Sequence, residues 1–522
     1  VTLKDFISRI AGPEVRVLQS EAGIRLESTP AAVPALAARL VEEKGCEFAT
    51  LVVEHQGDDF ELHYFFHGGE GNATHVVQLT TRVAVGDQVP AISDRVHAAD
   101  WDEREAEDLF EIHFAGHPFL GDFVLHDTEW REGVAPLRHD FDPRQQRPNG
   151  GRGGTWVPRR VLDEPGSLVF PVGPVWGGDS EAGLWLLETP GEEIRQAHTR
   201  LFYKHRGVEK IAEGQYPESA LLLAERFSGN SAFGHGLAFC QALESISGTA
   251  VPPRALLVRT ALAELERLRY HAAVIAEIAG STALAVAKAW GQELEEELLR
   301  LSGEVCGHRY LFGVVAPGGL ARDLDAGGLA RLRSVTAAVT ERLDRFEHLL
   351  ERSSSFLDRL EEMGTITPEL ARSYGVVGPV GRASGSSMDL RTRLPYAAYP
   401  DFTPRPALET EGDGYARLRV YFHEAREAAI LVAALLDNLP EGPVRAACEP
   451  LAGAGLGWVE APAGSAFHWL RVDEKGVIRR WRAGTPGFRN WHAFHRAVEG
   501  AAFQDFPIIL ASFGLSVAEN DR

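Results

Sequence analysis

Two hydroxyls and an imidazole stand at a spacing that belongs to metal chemistry. In Glu225-Arg226-Phe227-Ser228-Gly229-Asn230-Ser231-Ala232-Phe233-Gly234-His235 the pattern is Arg-x-Ser-Gly-x-Ser-x-x-x-His. With cysteine at Ser228 and Ser231 such a turn would present two thiolates three positions apart, the soft ligands that iron and nickel centres select. With serine it presents alcohols, which hold their protons far more tightly than thiols do and bind soft metals poorly at neutral pH. Ser and Gly clusters also build ordinary loops and caps, so the string gains chemical meaning only if other parts of the chain converge on it. Serine nucleophile chemistry lacks its usual frame, because no Gly-x-Ser-x-Gly elbow surrounds either residue.

The elements that must position these groups belong to a chain of 522 residues, long enough for two or more cores. The formal net charge of −21 repels nucleic-acid phosphates and anionic lipid, which argues against both as direct partners. The most apolar helical stretch, Ala428 to Leu436, is too short to cross a bilayer. Val1-Thr2-Leu3-Lys4-Asp5 lacks the basic flank and apolar run of a signal peptide, so a cytoplasmic address is expected. The four cysteines, Cys46, Cys240, Cys306 and Cys448, are far apart in sequence and read as reduced structural thiols, not as a cluster site.

Alternation at 48–53 and 61–66 predicts half-buried strands, and Trp101, Leu109 and Phe110 predict a helix over about 100–110 whose carboxylates form a solvated face. Residues 143–160, rich in Arg, Gly and Pro, read as a linker. Beyond it, Leu184 to Glu188 and Ile194 to Leu201 flank Thr189-Pro190-Gly191 as a hairpin. His468 to Val472 and Val477 to Trp481 do the same around Asp473-Glu474-Lys475-Gly476. Leu262, Leu265, Leu268 and Ala272, then Val335, Val339, Leu343, Phe346 and Leu350, recur at helical spacing and read as seams of long packed helices. The expected class is α+β: a small N-terminal α/β domain over 1–142, the linker, and a large, mainly helical domain over 161–522 with antiparallel hairpins.

Several strings carry a family resemblance. Trp101-Asp102-Glu103-Arg104-Glu105, Gly116-His117-Pro118 and Pro136-Leu137-Arg138-His139-Asp140-Phe141 resemble the 30-kDa-type subunit of respiratory complex I, with Glu111 where that family usually has Gly. His205-Arg206-Gly207-Val208-Glu209-Lys210, Arg259-x-x-Leu262-x-Glu264-Leu265-x-Arg267-Leu268-x-x-His271, Gly378-Pro379-Val380-Gly381-Arg382 and Asp389-Leu390-Arg391 resemble the 49-kDa-type subunit and the large subunit of NiFe hydrogenases. The chain thus resembles a fused 30-kDa/49-kDa subunit of the formate-hydrogenlyase and hydrogenase-4 type. The resemblance implies that the first module serves assembly and that Glu209 is a candidate proton carrier near the active cavity. His113, His117, His126 and His139 are spread over separate elements, a poor spacing for metal ligation.

Carried over position by position, the four cysteines that hold nickel in the hydrogenases correspond to Ser228, Ser231, Ser516 and Glu519, and the arginine over the metal corresponds to Ala463 in Glu460-Ala461-Pro462-Ala463-Gly464. The quinone-headgroup histidine of complex I has no counterpart in Gly173-Pro174-Val175-Trp176-Gly177-Gly178-Asp179-Ser180, and its tyrosine falls within Ser228-Gly229-Asn230. The implied role is a peripheral-arm subunit of an ion-translocating membrane complex without NiFe chemistry, with Glu209, His235 and Glu519 as candidate proton carriers. Two alternatives stand beside it: reduction of a quinone or other acceptor, with Trp176 and His235 lining a rebuilt pocket, and a structural scaffold. The implied partners are a small iron–sulfur subunit, a ferredoxin-like subunit and antiporter-like membrane subunits. Any iron–sulfur clusters would lie in those partners, no metal or other cofactor is expected in this chain, and contact with the cytoplasmic side of the membrane would run through them alone.

Overall fold

The computed structural model describes residues 2–12, 15–20, 23–69, 74–131, 133–142, 144, 151, 153–162, 165–175, 181–449 and 451–522. Most of the expected linker between 143 and 152 lies outside them, and the described residues from 153 to 160 form neither helix nor strand.

The N-terminal part folds as α1 (Leu3–Ile10), β1 (Arg16–Ser20), β2 (Gly23–Glu27), α2 (Val33–Lys44), β3 (Glu47–Gln56), β4 (Asp59–Gly68), β5 (His75–Ala84) and α3 (Asp100–Phe110). The sheet runs β1-β2-β5-β4-β3, with β2 and β5 parallel and the other neighbours antiparallel. The expected half-buried strands at 48–53 and 61–66 are buried on both faces. The period of two still sorts the side chains. Leu51, Val53, Leu62, Tyr64 and Phe66 join the core shared with α1 and α2, whereas Val52 and Phe65 join the core of the following domain. A second domain covers the face that would otherwise meet water.

That domain contains a three-stranded sheet, β6 (Leu168–Val172), β7 (Leu184–Thr189) and β8 (Gln196–Arg200), whose last two strands are the expected first hairpin. The helical body follows as α4 (Val208–Ala212), α5 (Pro217–Ala224), α6 (Ala232–Ser247), α7 (Pro253–Ser281), α8 (Ala285–Cys306), α9 (Ala326–Glu351) and α10 (Gly414–Asp437). Prolines in the first turns of α5 and α7 cost no hydrogen bond there, and Asp413 caps α10 by accepting from the Ala416 N–H at 2.7 Å. The predicted seams lie within α7 and α9 and are buried. The chain ends with a second sheet, β9 (Gly453–Ala461), β10 (Gly464–Val472) and β11 (Ile478–Gly484), then α11 (Pro486–Val498) and α12 (Phe506–Phe513). Among the described residues no helix is long and apolar enough to cross a membrane. Cys46, Cys240 and Cys306 are buried, Cys448 is partly so, and none forms a disulfide.

The acidic face of α3 overturns the expectation of a solvated surface: Asp102, Glu103 and Glu105 are all buried. Glu103 accepts from the Ile92 and Ser93 N–H groups at 2.7 and 3.3 Å, and Asp102 from Leu51 N–H at 2.9 Å. The remaining valences meet arginines far along the chain. Arg482 reaches Asp102 at 3.0 Å and also binds Glu105; Arg522 binds Glu105 at 2.9 Å, and Arg489 approaches Asp102 to 3.4 Å. Composition and local pattern alone could not reveal this, because the partners lie more than 370 residues away.

Breaking such a buried set strands charge in a poorly solvated place, typically at about 3–5 kcal/mol. Arg482→Met is expected to lower unfolding free energy by about that much in urea titration; a loss below about 1 kcal/mol, the scale of an exposed pair, would refute the role given to the cluster.

Candidate functional site

The Ser228 turn sits between the end of α5 and the start of α6, deep enough that Ser228, Ser231 and His235 are each about 0% exposed. Its neighbour is the C-terminal turn after α12. Arg206, from the His-Arg-Gly string, ties the two together: its guanidinium donates to Phe227 O at 2.8 Å and to Asp521 O at 3.0 Å, and also to Ala518 O. Ser228, Ser231, Ser516 and Glu519 lie on or beside these two turns, and they do not behave alike.

Ser228 and Glu519 meet directly, the Ser228 hydroxyl donating to Glu519 Oε1 at 3.0 Å. Glu519 Oε2 accepts from Gly487 N–H at 2.9 Å at the start of α11. A Cβ on Gly487 would come within 2.6 Å of that oxygen, so glycine is what lets the carboxylate seat there. Ser231 precedes α6, yet its hydroxyl makes no hydrogen bond among the described residues. The first-turn N–H groups of Phe233 and Gly234 are taken instead by Glu266 of α7, at 2.8 and 2.9 Å. Burial pushes the Glu266 carboxyl up to about 7, against the pull of Arg269 and those two N–H donors. Ser516 turns away and donates to Glu181 at 3.1 Å.

His235 connects the turn to a residue that the sequence reading missed. Its Nδ1 lies 3.0 Å from Nε2 of His468 on β10, and Trp481 on β11 donates from its indole to His468 Nδ1 at 3.3 Å. That indole bond fixes the tautomers in order. Neutral His468 carries its proton on Nε2 and donates it to His235 Nδ1, which leaves the His235 proton on Nε2, 3.7 Å from Glu519 Oε1. Burial, reinforced by the facing His235, holds His468 well below the usual imidazole pKa, so it stays neutral. The available signal was a single histidine inside the apolar run Ala466-Phe467-His468-Trp469-Leu470.

The other two sites named from sequence stand apart from this network. Glu209 of α4 is bound by Arg480 at 2.6 Å and Arg522 at 3.2 Å, accepts from Ala483 N–H at 3.1 Å and has Arg482 at 3.6 Å. Burial alone would raise its pKa, but these guanidinium groups overcome burial and hold it well below the carboxylate range. Glu209 is therefore a permanent anion near neutral pH, poorly suited to carrying a proton. Ala463 lies in the β9–β10 turn and contributes no charge; the neighbouring Glu460 pairs with Arg382 at 2.7 Å. Trp176 to Ser180 lie outside the described residues.

The histidines singled out in the first domain do not converge either: His117 faces Asp100 at 3.3 Å, His126 is bonded to Leu201 O at 2.8 Å, and the His139 backbone N–H donates to His55 Nδ1 at 3.0 Å. Among the described residues the group with metal-compatible spacing is Glu54, Glu61 and His63. Arg471 already binds Glu54 with two N–H groups at 2.9 and 2.6 Å, and His63 bonds the same carboxylate at 3.1 Å.

The Ser228 site does not fit a nickel–iron centre. Three hydroxyls and one carboxylate offer no thiolate, Glu519 spends both oxygens on hydrogen bonds, and Ser516 faces elsewhere. What the arrangement provides is a buried polar chain in which Ser228 Oγ donates to Glu519, His235 Nε2 lies 3.7 Å from the same carboxylate and His468 bonds His235.

A mixed α/β module docked on a helical body, with the site between an internal turn and the C-terminal turn, defines a joined 30 Kd/49 Kd-type subunit. Residues 26–147 match the family described as "Respiratory-chain NADH dehydrogenase, 30 Kd subunit", and 283–452 with 448–522 match its 49 Kd subunit. Formate hydrogenlyase subunit 5 of Escherichia coli (strain K12) is 30% identical over 451 residues, covering 85% of this chain and 79% of that protein. Hydrogenase-4 component G of the same organism is 29% identical over 439 residues, 83% of this chain and 76% of the relative. The NADH-quinone oxidoreductase C/D subunit of Bacteroides fragilis is 28% identical over 397 residues, 73% of each. The chain belongs to this family of complex I and hydrogenase-related 30 Kd/49 Kd subunits.

Glu519→Ala would leave the Ser228 hydroxyl and the Gly487 N–H buried without acceptors, a loss of about 2–4 kcal/mol in urea denaturation. Glu519→Gln, which keeps an acceptor, is expected to lose less than half of that. Equal losses for the two variants would show that the contacts seen here do not hold the turn.

Proposed function

We propose that the chain is a peripheral-arm subunit of a membrane-bound, ion-translocating complex of the complex I and hydrogenase-related type, and that it does not carry out hydrogen chemistry. The observation that carries this reading is the hydrogen bond from Ser228 to Glu519: two positions that hold nickel in the hydrogenases are here bonded to each other. The family relationship supports membership in a multi-subunit assembly, and the lack of a spanning helix among the described residues is in keeping with attachment through partners. The partners this reading implies are a small iron–sulfur subunit, a ferredoxin-like subunit and antiporter-like membrane subunits on the cytoplasmic side. Electron transfer through iron–sulfur clusters would belong to those neighbours.

Within this chain, the Ser228–Glu519–His235–His468 network takes the place of a redox centre as a buried proton-holding group. Glu519 accepts, His235 presents its Nε2–H toward it, and His468 with Trp481 keeps the imidazole oriented. Movement of charge here is linked to membrane partners through the C-terminal turn that Arg206 clamps.

Elemental analysis of the purified complex is expected to find no stoichiometric nickel; one nickel per chain would overturn the proposal. In membrane vesicles bearing the assembled complex, Glu519→Gln is expected to reduce ion translocation while the chain stays membrane-bound. Unchanged transport with a correctly assembled variant would reduce the site to packing.

A further inference from the structure

A cavity of about 490 Å³ opens between the two domains, away from the Ser228 site. One wall is Cys46, Glu47 and Phe48, where β3 begins, and the other is formed by residues around Ala371 to Val376 and Ser384 to Arg393. Its volume lies within the range of small-molecule sites. The domains close tightly at its rim: Gly375 has φ 65°, and a Cβ there would approach the Ala98 Cβ to 2.9 Å. An occupant would touch both domains at once.

Three arginines line the hollow, and their engagements differ. Arg95 is held by Glu42 through bonds of 2.6 to 3.1 Å, and Arg372 has Glu369 at 3.5 Å. Arg393 has no carboxylate within 4.0 Å among the described residues; its guanidinium donates to the Ser387 hydroxyl at 3.0 Å and has further N–H groups to give. Two carboxyls share the lining: Asp94, which is exposed, and Glu47, whose pKa burial raises against the opposing charge of Arg393. The side chains of Phe48, Val376 and Met388 add an apolar surface beside these polar groups.

We propose that this interdomain cavity binds an organic anion with an apolar body, the negative group resting on Arg393 and the body against Phe48, Val376 and Met388. A guanidinium fork matches a carboxylate, sulfonate or phosphate equally, so the shared chemistry is a planar or tetrahedral oxyanion on a hydrophobic frame. An organic cation is disfavoured because it would meet the guanidinium of Arg393, which no carboxylate pairs among the described residues.

The test uses the full chain and two probes of one shape: anionic 8-anilinonaphthalene-1-sulfonate and its uncharged parent N-phenyl-1-naphthylamine, titrated by calorimetry. The anion is expected to bind saturably at one site, about tenfold or more tighter than the uncharged probe, as one charge-assisted contact would give. Arg393→Gln should bring the two probes to equal affinity, and Met388→Trp, which fills the cavity from a half-buried loop, should abolish binding of both. Thermal melting establishes that each variant is folded. If Arg393→Gln fails to fold, the comparison of probes decides the charge and Met388→Trp decides the place. No saturable binding, equal binding of the two probes by the unaltered chain, or binding indifferent to Met388→Trp would each overturn the assignment.

Discussion

The two domains are held in register by a buried exchange of charge: Asp102, Glu105 and Glu209 against Arg480, Arg482, Arg489 and Arg522. None of these groups would be tolerated alone at such depth, because the solvation lost on burial exceeds what any single pair returns. Together they satisfy one another, with backbone groups completing the set through Arg480 to Val53 O and Arg489 to Ala98 O. The first module contributes the carboxylates of α3, Glu54 on β3 and backbone carbonyls, and the arginines that meet them lie between positions 471 and 522.

The same strand that makes this clamp also builds the site. On β11, Arg480 and Arg482 point to α3 and α4, whereas Trp481 between them points to the opposite face and fixes the His468 tautomer. Period-two geometry thus couples domain docking to the orientation of His235. The site itself is polar without being a metal pocket. Ser228 and Ser231 present neutral hydroxyls in place of soft ligands, and both oxygens of Glu519 accept hydrogen bonds, from the Ser228 hydroxyl and the Gly487 N–H. The Ser231 hydroxyl is buried and without a partner among the described residues, while Glu266 accepts from the first-turn N–H groups of α6 that a capping serine would otherwise meet.

Much of this was legible in the sequence, and the parts that were not share a physical cause. The hairpins expected at 184–201 and 468–481, α3, and the seams of α7 and α9 follow from local periodicity, and the structure contains them, the second hairpin extending over 464–484. The meeting of Ser228 with Glu519 was suggested by family correspondence and is close in space, whereas Ser516 was grouped with them and faces Glu181. The acidic run of α3 read as solvated because a charge pattern states nothing about distant counter-charges. Strands β3 and β4 read as half-buried for the same reason: their second face is covered by another domain. His468 looked like one polar residue in an apolar strand, and its role depends on Trp481 thirteen positions on and His235 more than two hundred before. Glu209 lay in the expected motif, but its three arginines come from β11 and the end of the chain.

The short C-terminal turn joins these two systems. Glu519 belongs to the site and Arg522, three residues later, to the interdomain cluster; Arg206 holds the backbone between them through Ala518 and Asp521 carbonyls while gripping Phe227 O of the Ser228 turn. A rigid clamp of this kind shares displacement: Glu519 cannot leave Ser228 without pulling on a turn whose other end is fixed to Glu105 and Glu209. The energetic consequence is asymmetric. Moving the turn would cost hydrogen bonds at the site of about 1 kcal/mol each, but several kcal/mol at the buried ion pairs. The charge cluster therefore sets the position of the turn, and the meeting of Ser228 with Glu519 depends on a frame that the domain interface supplies.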